Sequence, residues 1–325
     1  MRPFEFQRAA SESEAIAAAA AGARYLAGGT TLVDLMREEV ETPEKIVDIN
    51  RLPLNYIRAT DEAIVIGALA RMSEVAANQD VRRLQPLIPE TLTEGASPQL
   101  RNVASIGGNL LQRVRCPYFR MLDAACNKRV PGSGCSAIDG LNAGHAILGS
   151  SEHCVATHPS DLAVSLVALG ATLSLKGPRG ERTIPVEELF RLPESTPHLE
   201  HTLEPGELIV EVHVPNGPYA RKARYLKVRD RSSYEFALVS AAAALHVENG
   251  IIKEVRIAAG GVGTRPWRMN AVEQALVGKP AARASYEIAA AVSTEETRPL
   301  SHNGFKVKLL PATIVRALEM AGDVA

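Results

Sequence analysis

The sequence predicts an α+β fold in two parts, and three observations predict it. The first 55 residues alternate strand and helix patterns as β-α-β-α-β. Two long apolar strand patterns, Phe236–Val247 and Ile251–Ala259, are joined through Glu248-Asn249-Gly250, and Asn-Gly is the strongest short hairpin signal. Helical patterns then run from Asn270, from Ala282 and from Phe305 to the end, so strands and helices are segregated in the last third as in a separate α+β domain.

Taken in order, Pro3–Gln7 reads as a short strand. Ser11 and Glu14 make an S-x-x-E capping box at the start of an amphipathic helix. The strand Arg24–Ala27 runs into Gly28-Gly29-Thr30-Thr31; Leu32, Leu35 and Met36 then recur at helical spacing through Glu39, and the strand Lys45–Ile49 follows. Asn55–Ala68 reads as a hairpin with Asp61-Glu62 at its turn, and two helices start near Ser73 and Pro86. Gly95-Ala96-Ser97-Pro98 interrupts the pattern, and Val103–Gly107 reads as a short strand. After a cysteine-rich segment, helix or strand pattern resumes at Leu162–Leu175. The Pro- and Glu-rich stretch Arg191–Leu208 reads as a hinge or linker before the strand Ile209–Val214.

Composition narrows the function. A chain of 325 residues, 46% apolar and 22% charged, suits one large or two medium globular domains. Thirty-six basic against 37 acidic residues give a net charge of −1, which excludes nucleic-acid binding by bulk charge. One Trp, seven Tyr and six Phe leave little for a stacking platform on single strands. No apolar run reaches the roughly 18 residues of a membrane span. Ala15–Ala21 is short, ends at Gly22, and follows Glu12 and Glu14 where a signal peptide carries positive charge, so the chain is expected to have no export signal of its own.

All four cysteines, Cys116, Cys126, Cys135 and Cys154, fall in one segment. Buried structural thiols would scatter over the core, and disulfides need an oxidising compartment. Four thiolates in one loop instead suggest a zinc or iron–sulfur site, and the spacing C-x9-C-x8-C-x18-C does not settle which. Arg113, Arg115, Arg120, Lys128 and Arg129 against Asp123 alone make a basic shell suited to an anionic cluster. Pro117, Pro131, Gly132 and Gly134 make the segment a loop able to wrap a ligand.

Two segments carry a Gly-Gly pair, Ala27-Gly28-Gly29-Thr30-Thr31 and Ile106-Gly107-Gly108-Asn109, each expected just after a strand. Glycine lets backbone approach a ligand, consecutive N–H groups cradle a phosphate, and the first pair opens a helix. Neither segment has the spacing of a Rossmann or P-loop fingerprint. A single pair fits a tight strand-to-helix turn equally well, and two pairs together suggest a pyrophosphate held from both sides.

Y-L-A-G-G-T-T-L (Tyr25–Leu32), S-I-G-G-N-L (Ser105–Leu110) and H-P-S-D-L (His158–Leu162) resemble, in the same order, the three flavin-contacting segments of one family. It comprises the FAD-binding domains and medium subunits of molybdenum hydroxylases: xanthine dehydrogenase, carbon monoxide dehydrogenase and aldehyde oxidoreductases. The resemblance covers essentially the whole chain. It implies a p-cresol-methylhydroxylase-type FAD-binding domain of two α/β subdomains over residues 1–215, then a CO dehydrogenase flavoprotein-type C-terminal α+β domain over 216–325. It also implies that Ala27, Gly28, Gly29, Thr30, Thr31, Leu32 and Val33, with Ser105, Gly107, Gly108 and Asn109, surround the FAD pyrophosphate. Asp161 would bond the ribityl or adenosine part, and Lys227 would lie beside the isoalloxazine.

Most of the family passes almost directly from the G-G-N-L segment to the S-D pair. Here an insertion at about residues 113–156 intervenes and holds all four cysteines. Its motifs, C-P-Y-F, C-N-K-R-x-P-G-S-G-C and C-x-A-T-H-P-S-D, resemble the FAD subunit of bacterial periplasmic aldehyde oxidoreductase, which carries a 4Fe-4S cluster in such an insertion. That resemblance makes Cys116, Cys126, Cys135 and Cys154 ligands of a 4Fe-4S cluster.

The implied function is electron transfer within a molybdenum-dependent aldehyde oxidoreductase, from 2Fe-2S clusters to an external acceptor. Its partners are a small 2Fe-2S subunit and a large molybdopterin-binding subunit, forming a heterotrimer. Its place is the periplasm, reached by export on a partner's twin-arginine signal, with the cytoplasm as the alternative. A different class would be a stand-alone FAD-dependent enzyme acting on a small alcohol or phenol, with His145, His153 or His158 as base or flavin tether; a third would be a zinc-stabilised binding module. Tyr234 and Glu235 stand where a C-terminal domain could screen the flavin, or simply at the exposed entrance to a strand.

Overall fold

Three sheets carry the chain, and the computed structural model describes residues 1–322. The first sheet is parallel, in the order Glu5–Arg8, Lys45–Asp48, Arg24–Leu26. Parallel neighbours need crossovers, and the helices Glu12–Ala20 and Leu32–Arg37 supply them. Ser11 caps the first helix by accepting the Glu14 N–H at 3.2 Å, a bond worth about 1 kcal/mol. The returning arm differs from a capping box: the Glu14 carboxylate takes the Ala10 N–H at 2.8 Å, drawn toward the strand by Gln7.

The second sheet is antiparallel, in the order Ile57–Ala59, Ala63–Gly67, Leu208–Pro215, Thr172–Gly177, Gly180–Pro185. Helices Met72–Ala77, Gln79–Leu84, Leu87–Glu94 and Asp161–Leu169 lie in the same layer system. The sequence suggested one helix where there are two before Pro86. Asn78 turns extended (φ −65°, ψ 128°), ending the first and capping the second through the Val81 N–H at 3.1 Å.

Two other expectations are corrected. Val103–Gly107 is not a strand: Ser105 accepts the Gly108 N–H at 3.2 Å and starts a short helix, Ile106–Leu110, containing the second glycine pair. Only the single bridge between Arg71 and Ser105 remains of the expected strand. Arg191–Leu208 does not link domains. It joins the helix Val186–Leu189 to the strand Leu208–Pro215, both within the second sheet's layer.

The third sheet is antiparallel, in the order Trp267–Arg268, Ile251–Gly260, Val239–Glu248, Ala223–Val228. Asn249 and Gly250 both have positive φ (51° and 77°), as a type I′ turn requires. Strand periodicity explains the alanine run here. Ala242 and Ala244 face the core of the preceding domain, while Ala241, Ala243 and Leu245 face the helices Asn270–Leu276, Arg283–Ala291 and Phe305–Gly322. The C-terminal unit therefore shares a core with the first domain and is less separate than its sequence implied. The last helix was expected to reach the chain end; its continuation lies outside the described residues. Among the described residues, no helix is long and apolar enough to cross a membrane.

Candidate functional site

The fold brings the three short sequence segments together. The strand Arg24–Leu26 ends at the first glycine pair, and an added Cβ on Gly28 would lie 2.1 Å from the Val103 carbonyl oxygen. The approach to the second segment is therefore possible only for glycine. Arg71 braces it, donating to the Val103 oxygen at 2.6 Å and to Asn50 Oδ1 at 2.8 Å, while Asn50 donates to the Ala27 oxygen at 2.9 Å. Asn109 then accepts from the Ser160 hydroxyl at 2.5 Å, joining the second segment to the third.

The two glycine pairs offer a ligand different things. Among the described residues, the backbone N–H groups of Gly28, Gly29, Thr30 and Thr31 donate to no protein acceptor. Gly29 has φ 71°, and the helix after this loop starts at Leu32 with Val33 in its first turn. Consecutive free donors around a positive-φ residue form a nest for an anion such as a pyrophosphate. The second pair has spent its donors: Gly107 on the Ala68 oxygen at 2.8 Å, Gly108 on Ser105 Oγ, and Asn109 on the Ser105 oxygen at 2.8 Å. What it offers is bare backbone, since a Cβ on Gly108 would meet only Ser105 Oγ within 4 Å.

Asp161 and Lys227 meet each other. Lys227 Nζ donates to Asp161 Oδ2 at 2.8 Å and to the Glu94 oxygen at 3.2 Å, and the Tyr225 hydroxyl donates to Asp161 Oδ1 at 2.6 Å. Burial raises the Asp161 carboxyl above its usual range against the pull of Lys227 and Tyr225. Asp161 opens the helix Asp161–Leu169, and Tyr225 and Lys227 share one face of the strand Ala223–Val228, so the pair ties the two domains.

The four cysteines converge on one cavity, lined also by Val114, Phe119, Lys128 and His153. An antiparallel bridge sets Cys126 opposite Cys135, and Asn127 closes that loop by accepting the Gly134 N–H at 2.8 Å and donating to the His153 oxygen at 3.1 Å. Gly132 and Gly134 turn it with φ 85° and 98°. All four thiols are free. Burial pushes Cys116 up to about 12 and Cys154 upward, so a thiolate at either needs a compensating cation. Zinc would require sulfurs roughly 3.8 Å apart, from its Zn–S bonds of about 2.3 Å. Among the described residues, no group of three or more His, Cys, Asp or Glu side chains is arranged to hold a single metal ion. Four cysteine sulfurs lining one cavity are the kind of donor set that iron–sulfur clusters take.

The basic shell works differently from its sequence reading. Arg113 pairs with Glu41 and Glu200, Lys128 with Glu200 at 2.9 Å, and Arg120 with Asp34 and Glu38 at 2.6 and 2.8 Å. Arg129 donates to the carbonyls of Tyr118, Phe119, Leu122 and Ala124. These charges dock and knit the insertion, and Lys128 also pulls Cys154 down against the stronger upward push of burial. Arg115 reaches Thr31 Oγ1 at 3.4 Å and lies over the Phe236 ring, so insertion, first glycine loop and C-terminal domain meet there.

The histidines proposed as a base are placed otherwise. His145 contacts Cys116, His153 lines the cysteine cavity from an exposed turn, and His158 packs edge-on against Phe190 with ring centroids 4.5 Å apart. Tyr234 is 56% exposed in the loop between the third-sheet strands Ala223–Val228 and Val239–Glu248, and Glu235 pairs with Arg231. Sequence reasoning missed Asn50, Arg71 and Tyr225. The Asp48-x-Asn50 turn and the i, i+2 spacing of Tyr225 and Lys227 were the available signals.

Comparison with known proteins now decides the family. Residues 2–217 match the FAD binding domain in molybdopterin dehydrogenase, and residues 224–321 match the CO dehydrogenase flavoprotein C-terminal domain. The chain belongs to the FAD-binding medium subunits of the molybdenum hydroxylase family. It is thus a subunit of an oxidoreductase. It is 43% identical over 325 residues to the aldehyde oxidoreductase FAD-binding subunit PaoB of Escherichia coli, covering 99% of each chain. The glyceraldehyde dehydrogenase medium chain of Sulfolobus acidocaldarius is 29% identical over 93% of this chain and 91% of its own. A solved CO dehydrogenase from Oligotropha carboxidovorans superposes with TM-score 0.79 at 24% identity, covering 100% of each chain, which speaks to the fold.

Proposed function

We propose that this family member is the FAD- and 4Fe-4S-carrying electron-transfer subunit of a molybdenum-dependent aldehyde oxidoreductase. The observation that carries the reading is the four-cysteine cavity, inserted between flavin segments and touching the first glycine loop through Arg115. Full-length similarity to an aldehyde oxidoreductase FAD-binding subunit supports the substrate class. Electrons would come from 2Fe-2S clusters on a small subunit, with aldehyde oxidation at a molybdopterin on a large one.

Bound FAD supplies exchange between one- and two-electron transfer and a bound cluster supplies one-electron transfer, while the protein supplies position and electrostatics. Gly28 to Thr31 present four N–H donors to a pyrophosphate, and Gly107 and Gly108 keep side chains away from it. Cys116, Cys126, Cys135 and Cys154 would hold the cluster in a cavity walled on its apolar side by the buried Phe119 and Val114. Lys128 places a positive charge near Cys154.

Co-purification followed by rapid mixing tests the assignment. Aldehyde should bleach the flavin absorbance only when both partner subunits are present. Bleaching of the isolated chain by an alcohol or phenol would instead establish the stand-alone flavoenzyme. For location, we propose export of the assembled complex on a partner's twin-arginine signal, since its cofactors are inserted before export. Cell fractionation with that signal deleted should leave the subunit in the cytoplasm, and undiminished periplasmic accumulation would refute it.

A further inference from the structure

We propose that His145 is a positioning residue for the cysteine site: its Nε2 donates a hydrogen bond to the Cys116 sulfur and raises the reduction potential of the cluster. This rests on the reading that the four cysteines hold a 4Fe-4S cluster.

His145 Nε2 lies 3.2 Å from Cys116 Sγ. A sulfur bound to iron carries no proton and can only accept, so the imidazole proton must sit on Nε2. The other nitrogen makes no competing demand: Nδ1 is buried and has no hydrogen-bond partner among the described residues. The residue is 4% exposed, so in the folded protein the bond is not in competition with bulk water at the ring. A hydrogen bond to a ligating sulfur withdraws charge and favours the more negative, reduced state of a cluster.

The His145 backbone, and with it the ring's position, is held by the C-terminal domain rather than by the insertion alone. The His145 carbonyl accepts from Lys306 Nζ at 3.0 Å and from Asn303 Nδ2 at 3.2 Å, and both donors are fully buried. Asn303 also bonds the Ala146 oxygen at 3.2 Å, and Lys306 bonds the Gly261 oxygen at 2.6 Å. Asn142 completes the clasp, taking the His302 N–H on Oδ1 at 2.9 Å while its carbonyl accepts the His145 N–H at 3.0 Å. A buried lysine spent on two backbone carbonyls is an expensive device for merely closing a loop. It makes sense where one ring must be fixed against one sulfur.

The test is a potentiometric EPR titration of the purified holoprotein, with iron counted in each preparation. His145→Phe should keep its iron and show a lower cluster potential, and His145→Gln, which retains a side-chain N–H, should recover part of the shift. An iron-replete His145→Phe protein with an unmoved potential overturns the proposal. Wild-type protein labelled with 15N-histidine gives a check that needs no variant: pulsed EPR of the reduced cluster should show a weakly coupled histidine nitrogen. Its absence also overturns the proposal. A wild-type preparation without iron overturns the cluster reading itself, and the iron count tells that failure apart.

Discussion

Gly28 has no room for a side chain, because an added Cβ would lie 2.1 Å from one backbone oxygen and 2.8 Å from the carbonyl carbon beside it. Gly28→Ala should therefore cost roughly 2–3 kcal/mol, read as a lower thermal midpoint with or without flavin. Gly108 differs, since its Cβ would meet only Ser105 Oγ at 2.9 Å. Gly108→Val should lose flavin while most of the stability remains, and full flavin occupancy would remove the second segment from the site. Lys306 gives a pH signature, because burial pushes its ammonium down to about 7. Between that value and the unfolded lysine's pKa of about 10.4, the unfolded chain binds more protons, so stability rises with pH across the window. Denaturation midpoints at pH 7 and pH 9.5 should show that rise in wild type and lose it in Lys306→Met. The glycine pairs were legible at this scale because local spacing carries them. Arg71 and Asn50 were not, because their partners at Val103 and Ala27 are distant in sequence.

The cysteine insertion is attached by charge. Glu200 sits between Arg113 and Lys128. Burial raises its carboxyl, but the two cations outweigh this and hold it below the usual range. Its stabilising contribution is thus present above the unfolded carboxyl pKa and disappears as pH falls through the folded value. Glu200→Gln leaves two partly buried cations without their shared anion and should cost roughly 3 kcal/mol. Limited proteolysis should then cut within residues 113–156; unchanged resistance would show that cysteine ligation alone holds the segment. Clustering made these cysteines visible in the sequence. The purpose of the surrounding arginines was not visible, because their acids at Asp34, Glu38, Glu41 and Glu200 come from elsewhere in the chain. The expected strand Val103–Gly107 became a helix for a local reason, the Ser105 cap, which competed with an equally plausible apolar pattern.

Across the whole molecule, the two domains are joined by a shared core and by one buried ion pair. Lys227→Met would strand Asp161 and should lower stability by roughly 3 kcal/mol while flavin content holds. Retained stability with lost flavin would instead put Lys227 on the cofactor, as the family resemblance suggested. The α+β class and the order of the parts were legible from periodicity. The shared core was not, because alternate alanines of the strand Val239–Glu248 face two different layers and read as one apolar run. On the proposed reading, one chain holds both a flavin and an iron–sulfur cluster. Quantifying iron, acid-labile sulfide, zinc and flavin in the purified protein, beside single Cys→Ser variants of Cys116, Cys126, Cys135 and Cys154, tests it most directly. The wild-type chain should carry about four iron atoms, four sulfides and one flavin, with iron lost and flavin retained in each variant. One zinc and no iron, or full iron in any one of the variants, would contradict it.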